Sequence, residues 1–363
     1  MQLTLLVPGL LLPDAIRTAS VFDLSAPALS LLLGRGQRRE LTPDWLSSAF
    51  ELSPPLPAAA LRKVGAGGWF GRPADTPPKV GAGGTATADT AANMGTASGD
   101  CICLDPVHLQ VAREGISLAD PAQVNLTATE AAALIEAVAP LFADWGTLSA
   151  SAPARWELRL AKPLALTTCP LADAVSRPVD PALPGGPDGQ AWRRLIAAAQ
   201  TIMHSHPVNR TRDALGQPLI NSLWPWGLGD LGSLPDAVQA NFNVAWSDDP
   251  VLAGLCALAN LPCLAPPERF QSASGRVLAV VTCLEHPART FDALAWRNAL
   301  LAFERDWIVP GLASLRKREC HELRVIGTSI PGAADVARTI AFSLTRGERW
   351  RLWRRPRPLT RLA

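Results

Sequence analysis

Two groups of residues in this 363-residue chain carry side chains suited to metal or phosphate chemistry. The first is His204-Ser205-His206, an H-x-H pair closing an amphipathic stretch. The second is Glu285-His286 with Asp292, just after an apolar run, where α/β proteins bind ligands. Imidazoles and carboxylates of this kind can clamp a divalent metal such as Mn, Mg or Zn. The H-x-H spacing argues against its acting alone, because helical residues two apart point to different sides. A buried or capping histidine, and a solvated loop with a helix cap, are the plainer readings of the two groups.

A third group suits binding rather than catalysis. It lies within His204 to Gly229, HSHPVNRTRDALGQPLINSLWPWGLG. Asn209, Arg212 and Asn221 offer amide and guanidinium donors, and Trp224 and Trp226 offer flat apolar walls. Gly227 and Gly229 let the backbone pass close to something, in what reads as a Trp- and Gly-rich loop after a Pro/Asn/Arg turn. The combination fits a small phosphorylated or carboxylate metabolite held by Arg212 and loop amides. It also fits a wedge that locks two domains together.

Other motifs lead less far. Cys101-x-Cys103 lacks the second pair a zinc knuckle needs. KVGAGG occurs at 63–68 and 79–84, but no Gly-Lys-Ser/Thr follows, so the Pro-, Gly- and Ala-rich stretch reads as a flexible insertion. Arg346 to Arg361 holds seven arginines with Trp350 and Trp353 interleaved, a pattern that can grip phosphates and bases. A basic edge strand that discourages sheet pairing is the plainer reading.

A net charge of +2 points to no nucleic-acid footprint. Without an eighteen-residue apolar run, no membrane span is expected, and the N-terminus lacks the basic region of a signal peptide. Seven scattered cysteines fit reduced thiols in a cytoplasm.

The elements that must position these residues alternate. LTLLV at 3–7 reads as a buried strand, and 29–33 and 45–52 as short helices. CICLDPVHL from Cys101 is a strand, and Thr127 with Glu130 is a capping box opening a helix. RWELRL at 155–160 is a half-buried strand, and 192–206 a second helix stopped by Pro207. Beyond Gly229 come a helix opened by Asp249-Pro250 and a strand at 277–284. A helix striped by Trp296, Leu300, Phe303 and Trp307 then closes before Pro310, and strands follow at 323–326 and 349–353. This alternation predicts an α/β protein with a largely parallel sheet that strand 3–7 joins, so the core is discontinuous.

LINSLWPWGLG, with the preceding HPVN, Arg212 and Gly216, resembles a segment of the archaeal-type, cofactor-independent phosphoglycerate mutases. It is more similar still to their proteobacterial relatives, the RpfE-type regulatory proteins. Asp105 to Leu109, Leu126 to Leu134 and Phe303 to Trp307 resemble that second group too. The resemblance implies an alkaline-phosphatase-like, mostly parallel core with a smaller inserted α/β domain. On this reading the core is 1–60 and 223–363, the flexible insertion 61–99 and the inserted domain 101–222.

The family's chemistry uses two divalent metals and a serine that carries the phosphoryl group. Where the family has Asp-Gly after its first strand, this chain has Pro8-Gly9. Pro287 and Phe291 stand where it has an Asp and a His, and Gly327-Thr328 where it has Asp-His. No serine in 1–60 sits in a recognisable nucleophile setting. The expectation is a mutase-like bacterial protein without the two-metal site, acting as a regulatory or small-anion-binding protein. The alternative is an active metal-dependent mutase or phosphatase with ligands drawn from His204, His206, Glu285, His286 and Asp292.

Overall fold

In the computed structural model, residues 1–12, 23–42, 44–53, 56–66, 101–112, 115–175, 177–330, 338–348 and 355–357 are described. In chain order the strands are β1 (Gln2–Leu11), β2 (Gln37–Leu41), β3 (Cys101–Val107), β4 (Leu109–Ala112), β5 (Gly115–Leu118), β6 (Gly146–Ala152) and β7 (Arg155–Leu160). They continue as β8 (Ser222–Gly229), β9 (Val244–Trp246), β10 (Cys263–Leu264), β11 (Arg276–Val280), β12 (Glu322–Ser329) and β13 (Thr339–Thr345). Two compact units divide the chain. One is Met1–Pro54 with Val238–Asp249 and Leu258–Ala363; the other is Pro55–Ala237 with Pro250–Ala257.

The N-terminal apolar run becomes the middle of the first unit's sheet. Its strand order is β10-β9-β11-β1-β12-β13-β2, with β1 parallel to both β11 and β12. The pairs β10–β9 and β9–β11 are parallel too, whereas β13 runs antiparallel to β12 and β2 antiparallel to β13. This is an α/β unit with a mostly parallel sheet. Leu3, Leu5, Val7, Val277, Ala279, Leu323, Val325 and Phe342 share one sheet face and are buried. They pack with Leu29 and Leu32 of helix Pro27–Arg35 and with Trp296, Leu300 and Phe303 of helix Ala293–Phe303. Burying such a continuous apolar surface is the main force holding the unit together.

The stripe through Trp307 does not end at Pro310. A π-helical turn at Glu304–Ile308 leads into helix Val309–Lys317, and Pro310 sits in its first turn, where a missing N–H leaves no bond unmade.

The second unit is built on an antiparallel sheet, β6-β7-β3-β8. Ile102, Leu104, Trp156 and Leu158 line one of its faces and pack with Leu134 of helix Ala128–Val138 and Trp192 of helix Gly189–Ser205. The capping box is present: Glu130 N donates to Thr127 Oγ1 at 3.2 Å and Thr127 N to Glu130 Oε2 at 2.9 Å.

Three readings of local structure are corrected here. Ala58–Gly65 is a helix and not linker, because Leu61, Arg62 and Val64 are buried in the second unit. Pro207–Ala214 is a helix, since Pro207 starts it with His206 as its cap, rather than a turn. Ser222–Gly229 is a strand and not a loop, its backbone engaged by β3. By its pairing with β3, β8 belongs to the second unit. The second KVGAGG copy and residues 349–353 lie outside the described residues. Among the described residues no helix is long and apolar enough to cross a membrane.

Candidate functional site

In a parallel sheet the natural place for a ligand is the crevice at the carboxyl ends of adjacent strands. In the first unit those ends belong to β11, β1 and β12. Pro8-Gly9 lies on β1 and Gly327-Thr328 on β12, and Pro287 and Phe291 follow β11 in and after helix Glu285–Arg289. Gly9 has φ +78, and its carbonyl accepts a hydrogen bond from the Trp296 indole at 2.8 Å. A Cβ at Gly9 would stand 2.6 Å from the Leu284 carbonyl oxygen and 2.8 Å from the Ala288 Cβ. A Cβ at Gly327 would meet Leu10 Cδ2 at 2.9 Å. Leu10, Leu284, Pro287 and Ala288 are all buried. Around Gly9 and Gly327 the strand ends are therefore packed with apolar side chains, while Phe291 is half exposed. Pro8, Gly9, Pro287, Phe291, Gly327 and Thr328 do not fit a two-metal clamp, which needs oxygen and nitrogen donors.

Of the other candidate ligands, Glu285, Asp292 and His206 have structural partners. Glu285 pairs with Arg289 one helical turn on, and Asp292 caps helix Ala293–Phe303 by accepting from Ala295 N at 2.9 Å. His286 is exposed in the same unit. His204 and His206 belong to the second unit. His206 Nδ1 accepts from Val208 N at 3.2 Å as the cap of helix Pro207–Ala214, while His204 is exposed. Among the described residues no three His, Cys, Asp or Glu side chains gather in a way that could hold a metal.

The binding group is bonded within its own unit. Asn209 Nδ2 donates to the Met203 and Ile220 carbonyls at 2.7 Å each, and Oδ1 accepts from Ile220 N at 2.8 Å. Arg212, 1 % exposed, donates from Nε to Pro218 O at 2.8 Å, from Nη1 to Glu130 at 2.9 Å and from Nη2 to Val124 O. Asn221 exchanges two bonds with the Leu109 backbone, at 2.7 and 2.8 Å, and Trp224 Nε1 donates to Cys169 O at 2.9 Å. Thus the Arg212 guanidinium faces protein acceptors. At Gly227 and Gly229 the close neighbours are Ala58 and Pro57, where Cβ atoms would meet theirs at 2.9 and 2.7 Å. What the glycines let approach is the chain's own helix Ala58–Gly65 and the residue before it.

That helix delivers a cluster the sequence reading missed. Arg62 Nη1 and Nη2 reach Asp105 at 2.7 and 2.9 Å, and Nη2 also reaches Glu157 at 2.8 Å. Asp105 accepts further bonds from Trp156 N at 3.1 Å and from Trp226 Nε1 at 2.8 Å. The Arg62 guanidinium lies 5.5 Å from the Trp226 ring centroid, and Lys63 Nζ is 3.6 Å from Glu157 Oε2. Burial opposes the Arg62 charge, but Asp105, Cys103 and Glu157 hold its pKa above the usual value. Burial pushes the Glu157 carboxyl up, against the pull of Arg62 and Lys63. It also raises the Cys103 thiol well above its ordinary range and the Cys101 thiol to about 12, so neither favours the reactive thiolate. Two acids facing two bases away from water make a pin rather than a reaction centre.

No family model matches the chain. Short stretches are similar to 2,3-bisphosphoglycerate-independent phosphoglycerate mutases. The match to the Methanosarcina mazei enzyme is 39 % identical over 64 residues, and that to the Methanothrix thermoacetophila enzyme 33 % over 66. These stretches span only 16 % and 17 % of the lengths of those curated relatives and 17 % and 18 % of this chain. Among solved structures, the cofactor-independent phosphoglycerate mutase of Thermoplasma acidophilum aligns with a TM-score of 0.43 at 16 % identity, covering 95 % of this chain and 90 % of that one. The PH0037 protein of Pyrococcus horikoshii aligns with a TM-score of 0.44 at 13 % identity, covering 95 % and 87 %. The local sequence likeness is thus to the archaeal mutases; the RpfE-type relatives are not among these matches.

Proposed function

We propose that this chain is a phosphoglycerate-mutase-like protein that has lost the two-metal site and acts as a regulatory or small-anion-binding protein. The observation that carries this reading is the apolar closure at the ends of β1, β11 and β12, where Leu10, Leu284 and Ala288 crowd Gly9 and Gly327. Phosphoryl transfer through two metals needs several hard donors converging within a few ångströms. Rebuilding them there would mean displacing buried side chains and inserting unpaired charge. The stretches similar to the archaeal mutases support the ancestry, and with it an alkaline-phosphatase-like core. The ligand class, a small phosphorylated or carboxylate metabolite, follows from that ancestry.

Metal analysis of the purified protein after dialysis against Mn²⁺, Mg²⁺ and Zn²⁺ tests the reading. The expected content is well below one equivalent per chain. Two tightly held metals per chain, reduced by His286→Ala or by His204→Ala with His206→Ala, would establish relocated ligands instead.

A further inference from the structure

The face of the first unit's sheet turned away from its apolar core is polar where β1, β11 and β12 begin. Register places Gln2 beside Arg276 and Glu322, and Thr4 beside Arg324. Together with Arg39 of β2, Trp45 and Ser48 of helix Trp45–Ala49, and Asn241 and Phe242, these residues line a cavity of about 560 Å³. That is the size of a small-molecule site, roughly 300–1,000 Å³.

The charges in this cavity have no structural explanation of the kind found for Arg62 or Arg212. The guanidinium groups of Arg39, Arg276 and Arg324 make no hydrogen bond or ion pair among the described residues. Arg324 is half-buried on β12, where Thr4 and Ser343 stand beside it across the strands and Glu322 stands two residues back on the same face. Two acids also line the cavity: Glu40, 3.7 Å from Arg338, and Glu322. Arg276 and Arg324 stand on one sheet face with only β1 between their strands, and Arg39 lies at the far end of the recess on β2. Guanidiniums are planar donor forks that match phosphate oxygens. The carboxylate of Glu322, the Thr4 and Ser48 hydroxyls and the Asn241 amide can bind hydroxyl groups. Trp45 and Phe242 add an apolar wall.

We infer that this cavity is a binding site for a small phosphomonoester that carries hydroxyl groups, with Arg276 and Arg324 gripping the phosphate and Arg39 adding attraction from the far end of the recess. The site deepens the anion-binding reading above and rests on it. It lies where the parallel strands begin, on residues that the mutase resemblance does not use.

Isothermal titration of the full chain with glycerol 3-phosphate tests the assignment. The proteins compared are wild type, Arg276→Gln/Arg324→Gln, Arg39→Gln, and Arg210→Gln as a control on an exposed arginine of the second unit. Each charge-assisted bond lost weakens binding by about tenfold, so the double variant falls at least that far and Arg39→Gln less, with Arg210→Gln unchanged. Circular dichroism of each variant confirms the fold, and Arg39→Gln on the edge strand keeps the test open if the double variant does not fold. Undiminished binding in the folded arginine variants overturns this site and leaves the anion-binding reading standing. Absence of binding by wild type up to about 10 mM overturns both.

Discussion

The Trp226 indole donates its N–H to the Asp105 carboxylate at 2.8 Å, and that carboxylate is also gripped by both terminal nitrogens of Arg62. Strand β8, strand β3 and helix Ala58–Gly65 are thereby joined at a single buried acid. Removing it leaves the buried guanidinium with Glu157 alone and takes the acceptor from Trp156 N and Trp226 Nε1, which costs about 2–4 kcal/mol. Asp105→Ala is predicted to lower unfolding free energy by that amount in urea. A loss below about 1 kcal/mol would show that the pin contributes little.

Glu130 links a helix start to Arg212. Its partial burial acts against ionisation, but Thr127 and Arg212 together hold its carboxyl below the ordinary value. A lowered carboxyl pKa contributes stability above the unfolded value, about 4.3, and that contribution is lost as pH falls through the folded value. Glu130→Gln should therefore cost about 1–2 kcal/mol at pH 7. The gap between the two proteins should narrow below about pH 4. A gap independent of pH would contradict the ionised pairing.

Gly9 reports on the closed strand ends. Alanine there is strained twice, by the positive φ and by the Leu284 carbonyl and Ala288 methyl. Gly9→Ala is predicted to destabilise the chain by about 2–4 kcal/mol. A neutral substitution would mean the ends of β1 and β11 are open enough to admit a ligand.

The thiols give a fourth check. Burial raises the thiols of Cys101 and Cys103 and also that of Cys283, to about 11, but of these only Cys283 is exposed to a reagent. Mapping alkylation by mass spectrometry should find Cys283 labelled first and Cys101 and Cys103 only on unfolding. Early labelling of Cys103 would contradict the burial of the Arg62 cluster.

Much of the fold was legible because its signals are local. The LTLLV run, the Thr127 capping box and the Trp296–Leu300–Phe303 stripe each record burial in a few residues, and each became the element it predicts. The helix Ala58–Gly65 was not legible, because it adjoins a repeat rich in glycine and is held by docking rather than by propensity. Its Arg62 finds Asp105 and Glu157 from 43 and 95 residues away, a relation that no local pattern carries. Strand β8 was misread as a loop for a related reason: Pro225 and two glycines discourage a strand, and pairing with β3 overrides them. At the strand ends, Pro8, Pro287 and Gly327 were legible as positions without metal-binding side chains. The leucines that fill the space could be assigned only once the strands were placed side by side.

The central claim is that the ends of β1, β11 and β12 cannot support two-metal chemistry. The most direct measurement is the rate at which the purified, folded chain converts 3-phosphoglycerate to 2-phosphoglycerate in saturating Mn²⁺. The account predicts no turnover above the metal-only background. Turnover that requires Mn²⁺ and disappears when His286 is replaced by alanine would contradict it.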